Sequence, residues 1–267
     1  MNKLIAETEY RPQLERLLNS SDEANHHIAF QIMSKIGVPG DLHKKMTDQV
    51  SKIYLCLKYG FRSLILDRKV AMPDEFLQES IRELLDLSYD ASITYRHLWQ
   101  LDTLTLEETP PRNHFTFGLE GDATSLEGLQ FATQLKKLTI LNHEVDENEI
   151  SVLRHLHNLE YLHLQGMSQG VFRMKAVQDW SPISQLSQLK ELHLVENQID
   201  KISFLAKNLP NLELLNLQKN TLEDLKDLVN NPAVVNCTID LRDNPLEVVK
   251  VKPQIAQLKE RDVEVIL

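Results

Sequence analysis

Two stretches of the chain share one spacing of leucines followed by an asparagine. They read Leu189-Lys-Glu-Leu-His-Leu-Val-Glu-Asn197-Gln-Ile199 and Leu212-Glu-Leu-Leu-Asn-Leu-Gln-Lys-Asn220-Thr-Leu222. In each stretch two leucines are separated by one residue, which is the period of a β-strand whose alternate side chains share a face. The stretches therefore predict two short strands that point their leucines into one core.

The same leucine spacing recurs through the C-terminal two-thirds of the chain. Clear copies begin at Leu101, Leu135, Leu159, Leu189 and Leu212, and two degenerate copies are centred on Ile239 and Val263. The copies follow one another at about 24 residues, with two longer intervals, and a period of this length indicates stacked supersecondary units. Each unit is expected to add one strand and its leucines to a continuous core.

On these motifs the sequence resembles the leucine-rich-repeat family over roughly residues 96–267, with short returns similar to those of its bacterial and SDS22-like subclass. The resemblance implies an α/β fold, namely a right-handed leucine-rich-repeat solenoid of about seven coils with a curved parallel sheet. It also implies that Asn197, Asn220 and Asn244 satisfy backbone groups of neighbouring coils.

The first three coils depart from the family at the asparagine position. Thr109, His143 and Met167 stand there. We therefore expect the N-terminal coils to be held together by other means than the C-terminal ones.

Residues 1–95 lack the repeat and predict a helical N-terminal segment that caps the array, ahead of a repeat domain over 96–267. A capping-box pattern at residues 20–23 predicts a helix that ends before Gly37.

Two further helices are expected in this segment, one roughly from Leu42 to Tyr59 and one after Pro73. Between them, residues 61–66 match the apolar spacing of the repeat, so they could instead form a divergent first coil.

Residues that flank the inward leucines are expected on the concave side of the sheet, in columns that run across the strands. The column between the two leucines is Thr105, Thr139, His163, His193, Asn216, Asp240 and Glu264. The N-terminal flank gives Thr103, Lys137, Tyr161, Glu191, Leu214, Thr238 and Asp262, and the C-terminal flank gives Glu107, Leu141, Gln165, Val195, Gln218, Arg242 and Ile266.

The columns mix polar groups with apolar side chains, a composition that suits a protein or peptide partner. The predicted binding residues are Tyr161, His163, Gln165, Glu191, His193, Val195, Leu214, Asn216, Gln218, Asp240 and Arg242. A solvated sheet face with a few stray apolar residues is the alternative interpretation. Two longer coils, residues 107–125 and 165–180, contain aromatic residues and either bind a partner or cover the array.

The charge and the cysteines limit the other classes of function. A net charge of −10 disfavours nucleic acid and anionic membranes as partners. The chain begins without the apolar run of a signal peptide, and its two cysteines lack disulfide or zinc spacing, so we expect a cytoplasmic protein.

Catalysis is not expected, because the common hydrolase, phosphate-binding and zinc-protease motifs are missing from the sequence. His163 and His193, with Glu191 and Tyr161 beside them, are the one constellation that could suggest a metal-dependent enzyme or a pH-sensitive patch. A zinc site normally needs three or four convergent ligands, so we expect no cofactor and no bound metal. A second alternative is that the helical N-terminal segment makes the functional contact.

Overall fold

The computed structural model describes residues 10–39, 41–107, 125–143, 145, 147–167, 177, 179–205 and 209–267. Its helices are α1 (Arg11–Leu18), α2 (Glu23–Ile36), α3 (Val50–Lys58), α4 (Glu75–Leu84), α5 (Tyr95–Gln100), α6 (Glu147–Val152), α7 (Lys226–Asn230) and α8 (Val248–Lys259). Its strands are β1 (Thr103–Glu107), β2 (Lys137–Leu141), β3 (Tyr161–Gln165), β4 (Glu191–Val195), β5 (Leu214–Asn216), β6 (Thr238–Asp240) and β7 (Glu264–Ile266). Short 3₁₀ turns lie on the return path of several coils, at Leu129–Phe131, Leu153–His155, Ser181–Gln185 and Ser203–Leu205.

The strands form one seven-stranded sheet in sequence order, β1 to β7, with every neighbouring pair parallel. In β1 to β4 the two leucine positions of each strand are buried and the residue between them is more exposed. The predicted leucine-rich-repeat solenoid is confirmed, because each coil adds one strand and buries its leucines under it.

The last coil departs from the predicted register. Val265, and not Val263, pairs with Ile239. Val263 is buried in the turn before the strand, directly after Asp262, whose φ is +56°. Helix α8 and this turn lengthen the coil by two residues, so Glu264 pairs with Thr238 and Ile266 with Asp240. The columns predicted through Asp262, Glu264 and Ile266 are therefore wrong by two positions in this strand.

The asparagines bond to the preceding coil, as the family resemblance implies. Asn197 donates to the carbonyl of Leu164 (2.8 Å) and accepts from the N–H of Met167 (3.0 Å). Asn220 donates to the carbonyl of Leu194 (2.6 Å) and accepts from the N–H groups of Asn197 and Ile199 (both 3.0 Å).

Asn244 continues the series, since it donates to the carbonyl of Leu217 (2.8 Å) and accepts from the N–H of Leu222 (3.1 Å). Among the three substituted positions, His143 and Met167 are buried, whereas Thr109 lies outside the described residues.

The chain forms two compact units, one of residues 1–70 and 94–99 and the other of residues 71–93 and 100–267. The units cut across the expected division into 1–95 and 96–267. Helix α4, expected after Pro73, belongs to the unit of the repeats and packs against β1. It buries Leu77 and Ile81 on one face.

Helix α2 begins and ends close to the predicted positions. Its N-cap is Asp22, whose side chain accepts from the N–H of Ala24 (2.9 Å), and Gly37 at its C-cap has a φ of +87°. A positive φ of this size favours glycine, which explains why the helix stops there. Helix α1, before it, has no side-chain hydrogen bond at its N-cap and was not predicted.

Two expectations for residues 42–66 are wrong. The helix expected from Leu42 to Tyr59 is interrupted, because a 3₁₀ turn over Leu42–Lys44 is followed by non-helical residues and α3 begins only at Val50. Residues 61–66 form no strand, since Arg62–Leu64 is a 3₁₀ turn and the sheet begins at β1. Apolar spacing alone does not separate these alternatives over short segments.

Cys56 and Cys237 are free thiols and both are buried. Burial raises the pKa of Cys56 to about 12 and also raises that of Cys237. Over the described residues, the helices are all too short or too polar to cross a bilayer.

Candidate interaction face

The side of the sheet opposite the leucine core is called the open face here. The in-register pairs Tyr161–Glu191, His163–His193 and Gln165–Val195 place six of the predicted binding residues side by side on β3 and β4. Leu214 and Asn216 follow on β5, and Asp240 follows on β6. The structure therefore brings the predicted residues of these strands together.

Three rings form the centre of this face, and we call Tyr161, His163 and His193 the aromatic cluster. The ring centroids of His163 and His193 lie 5.2 Å apart, and those of Tyr161 and His193 also lie 5.2 Å apart. Tyr161 and His163 are nearly perpendicular, with centroids at 6.5 Å. All three residues are half-buried, so the cluster is partly accessible from the open face.

The surroundings of His163 and Tyr161 favour the neutral forms of both rings. The pKa of His163 is lowered from its usual value, first by burial and then by the neighbouring His193, while an interaction with Gln165 acts in the opposite direction. The pKa of Tyr161 is raised by burial and by the charge of Glu191. The predicted repulsion between the two imidazoles therefore contributes to the pKa of His163, although burial is the larger cause.

Glu191 supplies the negative charge beside the cluster. Its Oε2 lies 3.5 Å from Nε2 of His193, and about half of its side chain is exposed. The Nε2 atoms of both histidines are shielded from solvent and have no hydrogen-bond partner. The contact between Glu191 and His193 is thus too long for a hydrogen bond, and the carboxylate stays accessible.

A second polar group lies further along the open face, on β6 and the turns beside it. Asp240 is buried, and its carboxylate accepts from the guanidinium of Arg242 (2.6 Å) and from the amide of Gln218 (2.5 Å). Burial is the largest single influence and raises the pKa of Asp240, but the hydrogen bonds together outweigh it and the pKa is lowered. Asp240 therefore anchors Arg242, and the exposed guanidinium is the part that faces solvent.

Two of the predicted binding residues contribute less surface than the sequence suggested. Val195, which was expected to be exposed, is 8% exposed, and Leu214 is half-buried. Asn216 and Gln218 are half-buried as well, and Asn216 accepts from the N–H of Gln218 (3.0 Å). The pairing of Asp240 with Arg242 was missed, although their separation by one residue on a strand already placed them on one face.

The loops expected at 107–125 and 165–180 lie largely outside the described residues. Within them, Trp180 is described and is buried, with its ring 6.4 Å from that of Phe204. This residue covers its own array, which was one of the two expected roles.

In the part of the chain that the structure describes, groups of three or more histidine, cysteine, aspartate or glutamate side chains that could hold a metal ion are absent. The constellation at His163 and His193 contributes at most two imidazoles and the carboxylate of Glu191 on an open surface.

The comparisons with known proteins agree with the coil geometry. A family model described as leucine-rich repeats in two copies matches residues 187–230, the segment that holds two of the three bonded asparagines. Residues 187–230 are thus leucine-rich repeats, and the seven in-register parallel strands continue the same coil geometry on both sides of them. Leucine-rich repeats generally serve as protein-interaction modules and not as enzymes.

Two solved structures are partly similar to this chain. An internalin of Listeria monocytogenes is 20% identical with a TM-score of 0.48, and the alignment covers 73% of this chain and 56% of the internalin. A leucine-rich-repeat protein of Leptospira interrogans is 20% identical with a TM-score of 0.45, and the alignment covers 64% of this chain and 38% of the other. This chain thus spans about half the length of that internalin. A comparison with curated proteins found no match.

Proposed function

We propose that this leucine-rich-repeat protein binds a protein or peptide partner on its open face, with the aromatic cluster at the centre of the contact. The supporting observation is the packing of Tyr161, His163 and His193 in adjacent strands, half-buried and with ring centroids 5.2 to 6.5 Å apart. Aromatic side chains that are already held in place lose little conformational freedom when a partner covers them.

The surroundings of the cluster have the character of an interface. Half-buried Leu141 and Leu214 supply apolar surface on β2 and β5, and Glu191 and Arg242 supply exposed charges of opposite sign. A mixture of apolar centre and polar rim suits a macromolecular partner better than a small ligand, which needs an enclosed pocket. Nucleic acid and membrane surfaces are poorer candidates because the net charge is −10.

The experiment compares capture of partners by variants of the full chain. Tyr161→Ala and His193→Ala each remove one ring of the cluster, and Gln257→Ala, at an exposed position of α8, is the matched control. We expect recovery of the specific partner, measured by affinity purification and quantitative mass spectrometry, to fall about tenfold in the cluster variants and to stay unchanged in the control.

A further variant separates this proposal from its alternative, in which the helical N-terminal segment makes the contact. Ile28 is exposed on α2, so Ile28→Ala alters that segment without changing the repeats. Loss of the partner in Ile28→Ala and full recovery in both cluster variants, each with an unchanged thermal melt, would overturn the proposal in favour of the alternative.

A cytoplasmic location is part of the proposal. It is supported by Cys56 and Cys237, which are buried free thiols and suit a reducing compartment. Fractionation of cells that express the tagged chain tests it, and recovery of the chain outside the cytoplasm would contradict it.

A further inference from the structure

We propose that the aromatic cluster and Glu191 together receive a cationic side chain, a lysine ammonium or an arginine guanidinium, from the partner segment that docks on the open face. The inference rests on the proposed function and adds the chemistry of the contact at its centre. The partner segment is expected to carry a basic residue that reaches the surface between Tyr161 and Glu191.

The geometry brings two attractive elements for a cation into contact range of each other. Tyr161 and Glu191 are directly paired across β3 and β4, and the ring of Tyr161 packs against His193, whose Nε2 is 3.5 Å from the carboxylate. A cation placed on an aromatic face is attracted by the ring electrons, and a carboxylate beside that ring adds direct charge attraction.

Two other carboxylates on this part of the sheet are paired with permanent cations. Glu160 binds Lys190 at 2.7 Å, and Asp240 binds Arg242 at 2.6 Å. The contact that is found for Glu191 is the one with His193, an imidazole and not a permanent cation.

The remaining charged groups near the cluster are Lys137 on β2, Lys190 before β4 and Glu213 before β5. Lys137 pairs in register with Tyr161, and both Lys136 and Lys137 contribute to the lowered pKa of Glu160. Glu213 contributes to the raised pKa of Lys190. Lys137 is thus a cation on the far side of Tyr161 from Glu191, whereas the strand residues that flank the two histidines, Thr139 and Asn216, are uncharged.

His163 adds a dependence on pH to the geometry of the cluster. Burial and the neighbouring His193 lower its pKa, which favours the uncharged ring. Acidification adds positive charge next to the position that the cation would occupy. Binding of a cationic group should therefore weaken as the pH falls, whereas binding of an anionic group should strengthen.

The experiment uses the full chain and a small probe. N-acetyl-arginine methylamide is titrated while the imidazole resonances of His163 and His193, assigned with His→Gln variants, are followed by NMR. The matched probe N-acetyl-citrulline methylamide has nearly the same shape without the charge. We expect saturable shifts at millimolar concentrations with the arginine probe only, and weaker binding of that probe at pH 5.5 than at pH 8.

Variants test whether the carboxylate and the ring are responsible. Glu191→Gln should weaken the arginine probe about threefold and Tyr161→Ala somewhat more, while Glu260→Gln, at an exposed position after α8, should have no effect. Equal shifts with the citrulline probe, tighter binding at pH 5.5, or unchanged binding in Glu191→Gln would each overturn the inference.

The outcome also separates the inference from the proposed function. If the arginine probe fails but Tyr161→Ala still loses the partner, the face binds a partner and the cationic contact is wrong. If the arginine probe binds but the cluster variants retain every partner, the cation site exists and the proposed function is wrong.

Discussion

The C-terminal coils and the N-terminal coils use different side chains to form hydrogen bonds with the backbone of their turns. In the C-terminal coils an asparagine enters each turn and bonds to backbone groups of the coil before it, as Asn220 does with Leu194, Asn197 and Ile199. At the N-terminal end, carboxylates accept hydrogen bonds from the backbone N–H groups of residues 125 and 126.

Asp74 and Glu149 are the carboxylates at the N-terminal end. Asp74 accepts from the N–H of Ser125 (3.0 Å) and also caps α4 through the N–H of Leu77 (2.7 Å). Glu149 accepts from the N–H of Leu126 and from the hydroxyl of Ser125. The repeat therefore requires hydrogen-bond partners for its buried backbone groups, but these partners need not be asparagine side chains.

The largest expected effect is the loss of Asn220. In Asn220→Ala, two N–H groups and three carbonyls lose the Asn220 side chain as a partner in a buried turn, and we expect the free energy of unfolding to fall by about 3 kcal/mol. Urea denaturation measures it. Asn211→Ala is the control, because the exposed Asn211 makes a single bond to the carbonyl of Ser187 and should cost less than about 1 kcal/mol. Equal losses in the two variants would refute the structural role of the turn.

A smaller effect is expected at the other end of the array. Asp74→Ala removes a helix cap and the bond to Ser125, which should lower the free energy of unfolding by about 1.5 kcal/mol. Asp74→Asn keeps one acceptor oxygen and a good capping residue, so it should lose less than half as much in the same denaturation experiment. Equal losses in Asp74→Asn and Asp74→Ala would indicate that the charge, and not the cap, matters.

The smallest effect concerns the residues that directly follow β2 and β4. Glu196 after β4 has a φ of +60°, and Asn142 after β2 has the same value. Side chains without a local hydrogen bond tolerate this conformation poorly, whereas asparagine adopts it readily. Glu196→Gly should therefore raise the free energy of unfolding by about 0.5 kcal/mol.

Asn142→Gly is the comparison at the N-terminal end. It should change the free energy of unfolding by less than about 0.3 kcal/mol, because the asparagine carries little strain to relieve. Differential scanning calorimetry of the two variants resolves the difference, and destabilisation by Glu196→Gly would show that the glutamate side chain makes a stabilising contact that outweighs the strain.

The leucine period alone predicted the strands and their order, because every coil must return its leucines to the same core. It also placed Tyr161, His163, Glu191 and His193 together, since their register follows from the alignment of the leucines. Spacing could not predict the two-residue shift at β7, because Val263 and Val265 both fit an inward position and the length of α8 decides between them.

Other features depend on contacts that are not local in sequence. The burial of Val195 is of this kind. The link between Asp74 and Ser125 joins residues 51 positions apart, and no repeat motif encodes it. Such side chains are found only once the coils are stacked.

The asparagine bonds all run in one direction along the chain. Asn197 completes the turn around Met167, Asn220 completes the turn around Asn197, and Asn244 reaches Leu222. During synthesis on the ribosome, the side-chain hydrogen bonds of each turn therefore form only after the next coil has emerged. We expect this half of the protein to fold one coil behind translation, because each new coil supplies the hydrogen bonds that complete the turn of the coil before it.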